Sequence, residues 1–128
     1  MIVNDILSQK GSDVYTIFPE ATLYEMAQQL LEKKVGALIC TDRSGGLIGI
    51  VTERDLAHAV AHFGQSALDM TIAEIMVRDV VACGISDEID ILLTVMTEAR
   101  CRHLPVIREG VLVGLVSIGD LVKAHFGE

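Results

Sequence analysis

Two stretches of this chain repeat one arrangement of side chains, GIVTERDL at residues 49–56 and GLVSIGDL at residues 114–121. In each, a glycine and two apolar residues lead into a hydroxyl, Thr52 or Ser117, and a carboxylate follows three residues later, Asp55 or Asp120. An ionised carboxylate accepts from two vicinal hydroxyls at once, and hydrogen bonds to a charged group are worth about 1.5–3 kcal/mol each. A hydroxyl at a helix N-cap sits beside free backbone N–H groups, where the helix dipole favours an anion. The same pattern, Ser/Thr-x-x-Asp/Glu ahead of an apolar run, is also an ordinary capping signature contributing about 1 kcal/mol. A single copy reads as a cap. Repetition behind the same glycine-containing strand favours two binding turns, and capping and binding are compatible.

Other chemistry-bearing residues are fewer. Arg54 is a basic residue at a helix N-terminus, where its charge is locally unfavourable, so it is either solvated or a phosphate clamp. His58 and His62 lie four apart, a spacing that could seat a metal, but no third ligand is evident and a solvated face is favoured. The chain has no Ser/His/Asp or Cys/His set, no HExxH, no P-loop lysine motif and no GxGxxG.

The elements that must position the two turns are themselves duplicated. VNDIL (3–7) resembles IAEIM (72–76), and VYTIFPEAT (14–22) corresponds to VVACGISDE (80–88), each opening as a strand and ending in a helix start. The first helix carries Leu23, Met26, Ala27, Leu30 and Leu31 on one stripe, with Thr22 and Glu25 spaced as a capping box; its counterpart carries Ile89, Leu92, Leu93 and Met96. VGALICTD (35–42) and CRHLPVIR (101–108) then read as strands, turned by RSGG and EG into LIGIV (47–51) and VLVGLV (111–116). A final helix follows each turn, with Leu56, Ala59, Val60 and Phe63 as the expected buried stripe of the first, and Gly64 and Gly127 stand where helix stops belong. The expected unit is strand, helix, strand, strand, helix, twice: an α/β (α+β) protein with repeats at 1–70 and 71–128. Neither half alone buries enough apolar surface to be comfortable, so the two would pack about a pseudo-twofold axis with two equivalent clefts.

Composition limits the partners. The 128 residues suit one compact unit, and a net charge of −8 opposes a sequence-neutral grip on nucleic acid. No apolar run reaches the ~20 residues of a membrane helix, and the N-terminus is not a signal peptide. Cys40, Cys83 and Cys101 form no CxxC pair and read as reduced residues of a cytoplasmic protein. Apolar residues make up 51% and the mean hydropathy is +0.47, a surplus that points to a subunit interface.

The segments VGALIC, GIVTERDL, RHLPVI and GLVSIGDLV resemble those of the cystathionine-β-synthase-type, or CBS, domain, and the tandem resembles a CBS pair, or Bateman module, over essentially the whole chain. The match looks closest to small stand-alone bacterial CBS proteins. That resemblance implies a regulatory module, not an enzyme, whose inter-repeat clefts bind an adenosine-containing ligand: AMP, ADP, ATP, NAD(H) or S-adenosylmethionine. It implies that Asp55 and Asp120 take ribose hydroxyls, while Thr52, Arg54 and Ser117 face phosphate and Arg102 and His103 add positive charge. The base would lie near Ile17, Pro19 and Ala37 in one site, and near Cys83, Ile85, Leu104 and Pro105 in the other. It further implies a homodimer that reaches an unknown effector protein in trans; from the residues themselves no metal, no covalent cofactor, no nucleic acid and no membrane insertion are expected. Ile39 stands against Pro105, and Arg54 against Gly119, so the two sites should differ in affinity or ligand. The rival readings are a nucleotide-processing enzyme using Asp55 or Asp120 as base, and a structural dimer with vestigial clefts.

Overall fold

The computed structural model describes residues 1–127. The chain divides into two compact units, one of residues 15–80 and one made of residues 1–14 with the chain from Val81 onward.

The unit of residues 15–80 contains β1 (Thr16–Ile17), α2 (Leu23–Lys33), β2 (Ala37–Thr41), β3 (Leu47–Thr52), α3 (Glu53–Phe63), a 3-10 turn (Gly64–Asp69) and α4 (Ile72–Ile75). Its sheet has the order β1-β2-β3, with β1 parallel and β3 antiparallel to β2. The capping box read from sequence starts α2: the Glu25 N–H donates to Thr22 Oγ1 at 3.1 Å, and the Thr22 N–H donates to Glu25 Oε1 at 3.1 Å. Leu23, Met26 and Leu30 of α2 pack with Leu38, Cys40, Val51 and Ile72. Two expectations fail here. Leu31 is 81% exposed, because it lies one residue, about 100°, beyond the line through Leu23, Met26 and Leu30. On α3 only Ala59 is fully buried, and Val60 and Phe63 are 43% and 51% exposed, so the helix rests on a narrower face than the expected stripe.

The other unit contains α1 (Val3–Lys10), α5 (Ile89–Ala99), β4 (His103–Arg108), β5 (Val111–Ser117) and α6 (Ile118–Phe126). β4 and β5 form an antiparallel hairpin turned at Glu109 and Gly110, both at positive φ (51° and 78°), as a tight two-residue turn requires. Its core joins Val3, Ile6 and Leu7 of α1 to Leu92, Met96, Leu104, Val106, Val116 and Leu121. The strand expected near residues 80–88 shrinks to two isolated bridges, Glu88 to Ile2 and Cys83 to Val106, the latter held by the Cys83 N–H on the Pro105 carbonyl at 2.9 Å and the Ile107 N–H on the Cys83 carbonyl at 2.8 Å.

The mixed α/β class stands, but each repeat opens with a helix, α1 or α4, that the five-element pattern lacked. These helices also change sides. By sequence α1 heads the first repeat and α4 the second, yet α1 packs in the unit of α5 and α6, and α4 in the unit of α2 and α3. The motif glycines face that packing. A Cβ on Gly114 would meet Leu7 Cδ2 at 2.9 Å, and one on Gly49 would meet Met76 Sδ at 2.8 Å and the Val77 carbonyl oxygen at 3.0 Å.

Candidate functional site: two capped carboxylate turns

α3 and α6 start alike because the same three-residue spacing dictates the same local bonds. Thr52 and Ser117 are extended N-caps, with φ of −127° and −104°. The Asp55 N–H donates to Thr52 Oγ1 at 3.3 Å, and the Thr52 N–H returns to Asp55 Oδ2 at 2.9 Å. In the other unit the Asp120 N–H donates to Ser117 Oγ at 3.1 Å, and the Ser117 N–H donates to Asp120 Oδ2 at 2.8 Å. The next N–H of each helix is held by the strand entry: Glu53 by the Gly36 carbonyl at 2.9 Å, Ile118 by the Arg102 carbonyl at 2.8 Å. Each carboxylate is thus fixed through Oδ2 by its own cap and partly buried.

Strand register decides which neighbours share a face with these turns. Ala37 pairs with Thr52 and Ile39 with Ile50, on the face opposite Leu38, Cys40 and Val51. His103 pairs with Ser117 and Pro105 with Leu115, on the face opposite Leu104, Val106 and Val116. The register therefore sets Ala37 beside Thr52 and His103 beside Ser117, with Pro105 two residues further along the same face; Ala37 and Pro105 are themselves buried. The structure places Ile17, Cys83 and Leu104 in the two cores instead. Pro19 is half-buried with its carbonyl accepting the Ala73 N–H at 3.0 Å, and the carbonyl of half-buried Ile85 accepts the Asn4 N–H at 2.9 Å. Arg54 and Arg102 are exposed.

Lys10 is the site residue that sequence reasoning missed. Its Nζ lies 2.8 Å from Asp120 Oδ2 and donates to the Leu115 carbonyl at 2.9 Å. Its only sequence signal is its place in the last turn of a helix, where a basic residue complements the dipole anyway. Burial pushes the Asp120 pKa up, but hydrogen bonds from Lys10 and Ser117, with the Lys10 charge, outweigh it and hold the carboxyl below its ordinary value. Burial pushes the Cys40 and Cys83 thiols up to about 12, so neither is a nucleophile at neutral pH. Among the described residues no three His, Cys, Asp or Glu side chains converge on a metal position, and His58 and His62 are both exposed. No helix among them is long and apolar enough to cross a membrane.

Each unit thus carries a hairpin that feeds a capped Thr/Ser-to-Asp turn. The CBS domain matches residues 3–62 and 72–127, and the chain belongs to that family. It is similar to a CBS-domain containing protein of Agrobacterium tumefaciens, with 42% identity, coverage of 98% of this chain and 100% of that one, and a TM-score of 0.95. The CBS domain pair of protein MJ0100, solved with 5-methylthioadenosine and S-adenosyl-L-methionine, is 28% identical over 99% of this chain and 97% of that one, with a TM-score of 0.87. A mitochondrial CBS domain-containing protein of Arabidopsis thaliana is 29% identical over 95% of this chain and 63% of its own length. The chain spans 58 to 66% of the length of the first curated relatives it matches.

Proposed function

We propose that the chain is a regulatory module that binds an adenosine-containing ligand at the Asp55 and Asp120 turns and passes its occupancy to a partner protein in trans. The candidates are AMP, ADP, ATP, NAD(H) and S-adenosylmethionine. The observation that carries the proposal is the twin carboxylate, each held by its own cap through Oδ2. A carboxylate already fixed in place loses little freedom on accepting a ribose diol. Thr52, Arg54, Ser117, Arg102 and His103 are the proposed phosphate-facing residues. The base would lie on the sheet faces that carry Ala37 and Pro105, with Ile17, Pro19, Cys83, Ile85 and Leu104 forming their support. Binding of 5-methylthioadenosine and S-adenosyl-L-methionine by the MJ0100 domain pair supports the adenosine class.

The module reads its ligand without turning it over. A carboxylate whose pKa is lowered, as at Asp120, is a weak general base. A signal follows when the ligand prefers one of two conformations, by an amount equal to its differential affinity. Exposed Val60, Phe63 and Phe126 support a homodimer, and the buried thiols support a reducing, cytoplasmic setting.

Thermal unfolding with each ligand, assayed in parallel for turnover, tests the proposal. A ligand at about one hundred times its Kd adds about 2.7 kcal/mol, a shift of several degrees. Asp55→Ala or Asp120→Ala should each weaken its own site about tenfold or more. No shift with any adenosine ligand overturns the proposal, and turnover replaces it with an enzyme.

A further inference from the structure

We propose that Lys10, delivered by α1, makes the Asp120 turn selective for ligands carrying an anionic group beside the ribose. The inference rests on the adenosine-binding reading above and adds what the second turn discriminates. An ammonium has three N–H donors. Lys10 gives one to Asp120 Oδ2 at 2.8 Å and one to the Leu115 carbonyl at 2.9 Å, and its side chain is 38% exposed. The third donor is therefore available to a ligand without breaking either existing bond.

The surroundings favour an anion. Lys10 and Asp120 line a cavity of about 390 Å³ together with Lys123, Gln9, Ile6 and Ala124. Lys123 stands three residues after Asp120 on α6, on the same side of the helix. Two ammonium groups against one carboxylate give this cavity a positive balance in a chain whose net charge is −8. A phosphate placed there meets the remaining donor of Lys10, with Lys123 on the same lining, whereas a ligand with a sulfonium in the same place meets like charge.

The Asp55 turn is built otherwise. Asp55 Oδ2 is held by the Thr52 N–H and hydroxyl alone, and no lysine or arginine pairs with it among the described residues. The single basic side chain in its own motif is exposed Arg54, for which the Asp120 motif has Gly119. Lys10 thus supplies from a distant helix the cation that the second motif lacks.

Calorimetric titration of AMP and adenosine into the full chain carrying Asp55→Ala tests this on one turn at a time. AMP should bind more tightly than adenosine, and Lys10→Met should weaken AMP by about tenfold while leaving adenosine within about twofold, as loss of a charged hydrogen bond to phosphate predicts. Lys10→Arg should keep the preference. Retained adenosine binding reports that the Lys10→Met protein is folded. Equal loss of both ligands, or an unchanged AMP affinity, overturns the role of Lys10. Binding of neither ligand by the Asp55→Ala parent instead overturns the proposed function at this turn.

Discussion

Asp120 is set between burial, which favours its neutral form, and the donors of Lys10 and Ser117, which favour its charged form and prevail. A carboxylate with a depressed folded pKa contributes stability that is present above its unfolded pKa and is lost as the pH falls through the folded value. The stability gap between the parent and Asp120→Asn should therefore be full at pH 7 and close as the pH drops below the usual carboxylate range, which urea denaturation across that range would measure. Lys10 is more than a third exposed, so its ion pair is worth no more than about 1 kcal/mol of that gap. A gap independent of pH would mean the pair contributes nothing. Thr52, Asp55, Ser117 and Asp120 were legible in the sequence because their bonds span three residues and local spacing decides them. Lys10 was not, because the carboxylate it meets lies 110 residues away and no periodicity links them.

The glycine that opens each motif belongs to the packing of helices. Gly114 lies under Leu7 of α1, and Gly49 lies under Met76 and the backbone of Val77, just past α4. Adding a methyl group should destabilise either unit by about 1–3 kcal/mol, since a filled core yields only by strain. Gly49→Ala should cost more, because the Val77 carbonyl cannot rotate away as a Leu7 methyl can. Leu7→Ala should relieve part of the cost of Gly114→Ala, and a double-mutant cycle in urea would show that coupling as non-additivity. Hairpins and the helices α2, α3, α5 and α6 were readable from alternation, turn residues and caps, while α1 and α4 were absent from the expected pattern. The short first strands were not. β1 and the Cys83 bridge are held by pairing with residues far along the chain, and no local signal says how much of an extended stretch will find a partner. Leu31 shows the complementary limit: apolar type marks a candidate for burial, while the face that the core selects decides it.

Two compact units share one chain unequally: residues 15–80 are continuous, and the other unit is closed only when residues 1–14 meet the segment after Val80. Val3, Ile6 and Leu7 are almost fully buried in that second core, so it cannot be completed until the chain beyond residue 80 exists. In a chain emerging from the ribosome, the uninterrupted unit can assemble while the split one waits with three core side chains uncovered. Met1 and Gly127 line the same cavity, so a short flexible linker could join the ends and new termini could be opened between residues 80 and 81. Such a circular permutant holds each unit in one unbroken segment and lowers the sequence separation of its contacts. It should refold faster in stopped-flow experiments than the natural order while keeping the same spectrum.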